Sequence, residues 1–215
     1  MARFRLLLAV LVLCSALPVG AADDGFESLF DGSTLDGWIL LNKRGVGYTV
    51  EDGTIACHHN SGGNLLSASE YDNFVLRFEF KLEPGSNNGL CIRCPLEWSD
   101  MAYAGNELQI IDNSAERYKN IKPWQKHGSL YNVAPAKTGA LKPVGEWNSQ
   151  EVTADGSTIR VVLNGITILD VDTSKVTDRT TLAKHPGLRR TGGHIGFLGH
   201  NQPVAFRNIS IKRLP

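Results

Sequence analysis

The chain has 215 residues, with 22 lysines and arginines balancing 22 aspartates and glutamates to a formal net charge of zero. That balance leaves no electrostatic footprint for a nucleic-acid or membrane-surface partner. The length suits one large domain with a substantial core.

The first predicted element lies outside the fold. Arg3 and Arg5 precede the apolar run Leu6 to Leu13, and Val19-Gly20-Ala21 offers small residues for cleavage. This is the layout of a secretory signal peptide over residues 1–21. The run is too short to span a bilayer, so a retained anchor is the minor alternative. Cys14 after Leu13 is a poor lipoprotein box. The mature chain is expected over residues 22–215, as one domain, secreted or periplasmic, with no membrane contact after cleavage.

Tyr48 to Glu51, Asp52-Gly53 and Thr54 to Cys57 read as a hairpin. His58 and His59 beside Gly62-Gly63 read as an exposed loop. Phe74 to Leu82 alternates cleanly with its phenylalanines inward and ends at Pro84-Gly85. Two short strands follow, Gly89 to Arg93 and Glu107 to Ile111, around a loop holding Pro95, Trp98 and Gly105. Alternation turns Leu90, Ile92, Leu108 and Ile110 to one face and Cys91, Arg93, Glu107 and Gln109 to the other. A carboxylate, a cation and an amide on one rigid sheet make a polar site. Spacing alone fits a solvated sheet face equally well.

The segment from Asn113 to Pro143 is too long for an ordinary connection. Tyr118, Trp124, His127 and Tyr131 are spread through it. Aromatic rings with polar tips suit the apolar faces and hydroxylated edges of sugars, though they could equally pin the loop to the sheet edge. Strands then recur at Trp147 to Thr153, at Thr158 to Leu163 and Ile166 to Val171 around Asn164-Gly165, at His194 to Leu198 and at Val204 to Lys212. No helical period exceeds about two turns. The expected fold class is all-β, a two-sheet antiparallel sandwich.

Cleavage would leave Cys57, Cys91 and Cys94. Cys91 and Cys94 are too close in an extended strand to bridge unless the chain bends sharply there. A bond from Cys57 to either is open, and three buried thiols are the favoured reading. No paired Cys/His spacing points to structural zinc.

The motifs, taken together, resemble a family. Gly25-Phe26-Glu27-Ser28-Leu29-Phe30-Asp31-Gly32 with Leu35-Asp36-Gly37-Trp38 is followed by Tyr71-Asp72-Asn73-Phe74, Asn87 with Gly89 and Arg93, and Glu107-Leu108-Gln109-Ile110-Ile111-Asp112. Then come Gly128-Ser129-Leu130-Tyr131 with Ala134-Pro135, Lys142-Pro143-Val144-Gly145-Glu146-Trp147-Asn148, Leu163-Asn164-Gly165, Gly196 with His200, and Phe206-Arg207-Asn208-Ile209. In this order they resemble the bacterial 3-keto-disaccharide hydrolase domain across essentially the whole mature chain. The resemblance implies a concanavalin A-like jelly roll that cleaves glycosides oxidised to a ketone at C3. Asn87-Asn88-Gly89 stands where the family often has Asn-Ser-Gly, and Phe197-Leu198-Gly199-His200-Asn201 where it often has Leu-Gln-Asp-His-Gly.

A C3 ketone acidifies the C2 proton, so a base, an electrophile at the C3 oxygen and an acid at the glycosidic oxygen suffice for elimination. The resemblance implies Glu107 and His200 as base and acid in either order, and Arg93 at the enediolate oxygen. Gln109, Tyr131, Trp124, Asn87 and Asp112 are the candidate substrate contacts. A divalent metal held by Glu107, Asp112 and His200 is the alternative to the arginine, while Asp112 could instead simply turn the chain. The implied partner is an oxidised glycoside, supplied by a sugar 3-oxidase. Two other functions compete: a non-catalytic carbohydrate-binding module, and a laminarinase-type hydrolase. The second normally carries Glu-x-Asp-x-x-Glu, and here Gln109 and Asp112 stand where that pattern needs Asp and Glu.

Overall fold

The computed structural model describes residues 24–97 and 100–215. The proposed signal peptide and Trp98 lie outside these residues. Thirteen strands form two antiparallel sheets. The larger sheet holds β1 (Glu27–Ser28), β3 (Tyr48–Glu51), β4 (Thr54–Cys57), β6 (Phe74–Leu82), β9 (Trp147–Asp155), β10 (Thr158–Leu163), β11 (Ile166–Asp172) and β13 (Val204–Arg213). Its order is β11-β10-β9-β6-β13-β4-β3, with β1 also on β13. The smaller sheet runs β2 (Trp38–Arg44), β5 (Gly62–Ser67), β12 (His194–His200), β7 (Asn87–Cys94) and β8 (Asn106–Ile111). Two short α-helices, α1 (Met101–Ala104) and α2 (Arg179–Lys184), and four one-turn 3-10 helices complete the regular structure among the described residues. The chain is an all-β sandwich, as its alternation predicts.

Alternation packs the core. Phe74, Phe78 and Phe80 of β6 point inward, and Phe197 of β12 stacks on Phe206 of β13 with ring centroids 3.7 Å apart, joining the two sheets. Each such ring contributes about 1.5–3 kcal/mol of transfer free energy. The β3–β4 and β10–β11 hairpins turn on Asp52-Gly53 and Asn164-Gly165, all four residues at positive φ, as tight hairpins with right-handed twist require.

Three local features depart from the sequence reading. Gly62-Gly63 is not an exposed loop. It begins β5, buried between β2 and β12. Its lack of an alternating apolar pattern hid it. Cys91 and Cys94 form a disulfide, and Cys57 is a buried free thiol. The bridge exists because the chain does bend: Arg93 sits at φ 54°, the β7–β12 register shifts beside it, and the two Cα atoms come to 6.0 Å, inside the usual bridging range. Finally, part of the segment from Asn113 to Pro143 acts as a further strand. Gly128 to Tyr131 hydrogen-bonds along β8, with Leu130 bridging Leu108. The edge of the smaller sheet is thereby covered.

Candidate active site

The outer face of the smaller sheet carries the site. Across its strands lie the rows Leu66, Gly196, Cys91, Glu107 and Asn64, Leu198, Gly89, Gln109, and beyond them Arg44, Gly62, His200. Glu107 and His200 belong to different rows, yet Glu107 Oε1 lies 3.7 Å from His200 Nε2. Gly89 makes the approach possible. A Cβ there would overlap Glu107 Oε1, so the carboxylate occupies space that any other residue would fill.

Glu107 is 3% exposed, whereas the His200 side chain is 45% exposed. The pair therefore joins a desolvated carboxylate to an imidazole open to an incoming ligand. Glu107 Oε1, Gln109 Oε1 and Asn87 Oδ1 are buried acceptors without a hydrogen-bond partner in the protein. An unpaired buried polar atom costs about 1–3 kcal/mol. Three of them on neighbouring positions of one sheet face suit a ligand rich in hydroxyl donors.

Aromatic residues flank the adjoining β8 edge. The Tyr131 amide donates to the Glu107 carbonyl at 2.9 Å, which fixes Tyr131 beside Glu107, and its hydroxyl accepts from Gln125 Nε2 at 3.4 Å. Tyr103 of α1 packs 6.2 Å from the Tyr131 ring and 4.6 Å from the His185 ring. Burial, then neighbouring Lys184, pushes the His185 imidazole below its ordinary pKa against the pull of Asp100. Trp124 stands on the one-turn helix Pro123–Gln125, 37% exposed. His200 also lines a cleft of about 610 Å³, together with Asn42, Arg44, Asn64, Asp100 and Leu198, among others.

Arg93 does not join this site, a correction to the alternation-based expectation. Its left-handed backbone turns the guanidinium away, to the carbonyls of Asp72, Gly156 and Arg190 and the Asn73 side chain. Asp112 is also elsewhere. Its carboxylate accepts from Gly85 N, Ser114 N and Ser114 Oγ, holding a turn. Burial pushes this carboxyl up, but the Ser114 hydroxyl and the surrounding backbone amides outweigh it and hold it below the usual range. The expected ligand set of Glu107, Asp112 and His200 is thus not assembled. No cluster of three or more His, Cys, Asp or Glu suited to a metal occurs among the described residues.

Residues 25–212 match the family described as the 3-keto-alpha-glucoside-1,2-lyase-like domain. The chain belongs to that family. It is 31% identical over 236 aligned positions to a 3-keto-disaccharide hydrolase of Bacteroides thetaiotaomicron, covering 92% of this chain and 81% of that one. Crystal structures of two provisionally named glycosyl hydrolases of Parabacteroides distasonis share the fold. One is 28% identical with a TM-score of 0.76, covering 88% of this chain and 99% of its own. The other is 26% identical with a TM-score of 0.74, covering 89% and 94%.

Sequence reasoning missed the family member's Arg44 and Asn64. Arg44 ends a strand whose only pattern is the inward pair Trp38 and Leu40, and Asn64 sits in the glycine-led β5. Neither carries a motif, and only sheet order brings them beside His200.

Proposed function

We propose that this enzyme cleaves the glycosidic bond of 3-keto glycosides, with Glu107 as the base at C2 and His200 as the acid at the glycosidic oxygen. The observation that carries the reading is the desolvated Glu107 carboxylate facing the open His200 imidazole at 3.7 Å. Family membership supports glycosidic-bond cleavage, and the named relative supports a keto-sugar substrate.

The chemistry follows from the ketone. Glu107 takes the C2 proton, and the C2–H electron pair becomes the C2=C3 bond of an enediolate. That pair then forms C1=C2 as the C3 carbonyl returns, and the C1–O bond breaks with its electrons on the leaving oxygen. His200 supplies the proton that oxygen needs. Water adding across C1=C2 completes net hydrolysis. Gln109, Asn87 and Tyr131 hold sugar hydroxyls, and Trp124 offers a face at the rim. A sugar 3-oxidase supplies the substrate. Export fits such a role, with residues 1–21 as the signal. No helix among the described residues is long and apolar enough to cross a membrane.

The test incubates the mature protein with a glucoside and with its 3-keto derivative. Turnover of the keto sugar alone is expected, and Glu107→Gln should lower kcat by about 10²–10⁴-fold. Equal turnover of both sugars would sink the reading.

A further inference from the structure

We propose that Arg44 is the electrophile of this site, donating to the C3 oxygen of the substrate as it becomes an enediolate. The inference rests on the elimination reading above. That reaction places a negative charge on the C3 oxygen, and the arginine first expected to meet it, Arg93, is spent on backbone carbonyls elsewhere.

The fold puts Arg44 in its place. Arg44 ends β2 and pairs with Gly62, which pairs in turn with His200. The arginine and the histidine therefore share one row of the outer face, two strands apart, with a glycine between them. Strands lie about 4.8 Å apart, so an arginine can cross one of them only where no side chain intervenes. Gly62 and Gly63 supply that gap, at φ 138° and 122°, and a Cβ on either would press on neighbouring backbone. Arg44 lies across it, with Nη2 donating to the Gly199 carbonyl next to His200. This bond anchors one corner of the guanidinium, and the side chain remains exposed in the cleft that His200 lines.

The division of labour follows from proton chemistry. Arginine stays protonated at any working pH, so it cannot donate a proton to the leaving oxygen. It can hold charge, and the C3 oxygen is where charge accumulates. His200 can release a proton and is left with the glycosidic oxygen.

The experiment compares wild type, Arg44→Ala and Arg44→Lys on a 3-keto glucoside, with folding checked by circular dichroism. Arg44→Ala should lose about 10²–10³-fold in kcat, the usual cost of one oxyanion donor, with KM changed by less than about threefold. Guanidinium added to the buffer should restore part of that kcat. A kcat within about threefold of wild type, a loss confined to KM, or no rescue by guanidinium overturns the proposal. Should Arg44→Ala not fold, Arg44→Lys decides: a kcat at least about tenfold lower supports the anchored guanidinium as the electrophile, and a kcat within about threefold of wild type overturns it. Wild type inactive on keto sugars would instead overturn the elimination reading, and this inference with it.

Discussion

Two arginines separate structural from chemical cation use in this molecule. Arg93 is 3% exposed and makes five hydrogen bonds, four of them to backbone carbonyls. Its fixed fork gathers the Asp72, Gly156 and Arg190 segments at one end of the sandwich. Arg93→Gln should therefore cost stability, about 1–3 kcal/mol for the carbonyls it orphans. Urea unfolding measures that loss, while the kcat of the folded fraction on a keto glucoside stays at the wild-type value. A kcat collapse at unchanged stability would return Arg93 to the chemistry. Family motif and strand parity both point to Arg93 in the sequence. Neither registers that a left-handed residue breaks the alternation on which parity depends.

At the scale of elements, the site is a product of what β7, β12 and β5 lack. Gly89 faces Gln109 and lies under the Glu107 carboxylate, while Gly196 stands opposite Cys91 and Gly62 opposite His200. Glycine weakens a strand, and its presence inside one marks a close approach. Gly89→Ala should displace the carboxylate, which is the movable end of a side chain, and leave the backbone ladder intact. Its kcat should fall at least about tenfold, because small misplacements of a catalytic group cost heavily, with a thermal midpoint within a few degrees of wild type. Unchanged kcat would show that Glu107 acts from another position. The same elements explain the long segment after β8. Its aromatic residues read as a sugar surface or as a pin. In the structure Gly128 to Tyr131 lie along the β8 edge, Tyr118 is buried, and Tyr131 stands beside Glu107.

For the molecule as a whole, the interior holds a polar pair that ties stability to pH. His127 stacks on Phe80 at 5.0 Å, and its Nε2–H donates to Gln150 Oε1 at 3.0 Å. Burial pushes its pKa down to about 4, against the smaller opposing effect of that hydrogen bond. The unfolded chain regains the ordinary value of 6.5, so between these two values it binds more protons than the native state. Stability is then full above pH 6.5 and is lost as pH falls toward 4, by about 3 kcal/mol from this residue. Urea unfolding at pH 7.5 and 4.5 should show a smaller acid loss in His127→Gln than in wild type. Equal losses would refute the assignment.

Much of this architecture is local and is legible in short stretches of the chain. Alternating phenylalanines in β6, Asn-Gly and Asp-Gly turns, and the absence of long helical periods specify an antiparallel sandwich, because period and turn chemistry act within a few residues. The outward direction of Glu107 and Gln109 follows from the same short-range rule. What stands beside them depends on how distant strands pair. Arg44, His200 and Glu107 come from strands far apart in sequence, and glycine gaps bring them together. Arg93 and Asp112, adjacent to the right motifs, are drawn off by backbone partners. Pairing between distant strands and a single left-handed residue leave no periodic trace in the chain, so the membership of the site is settled by packing.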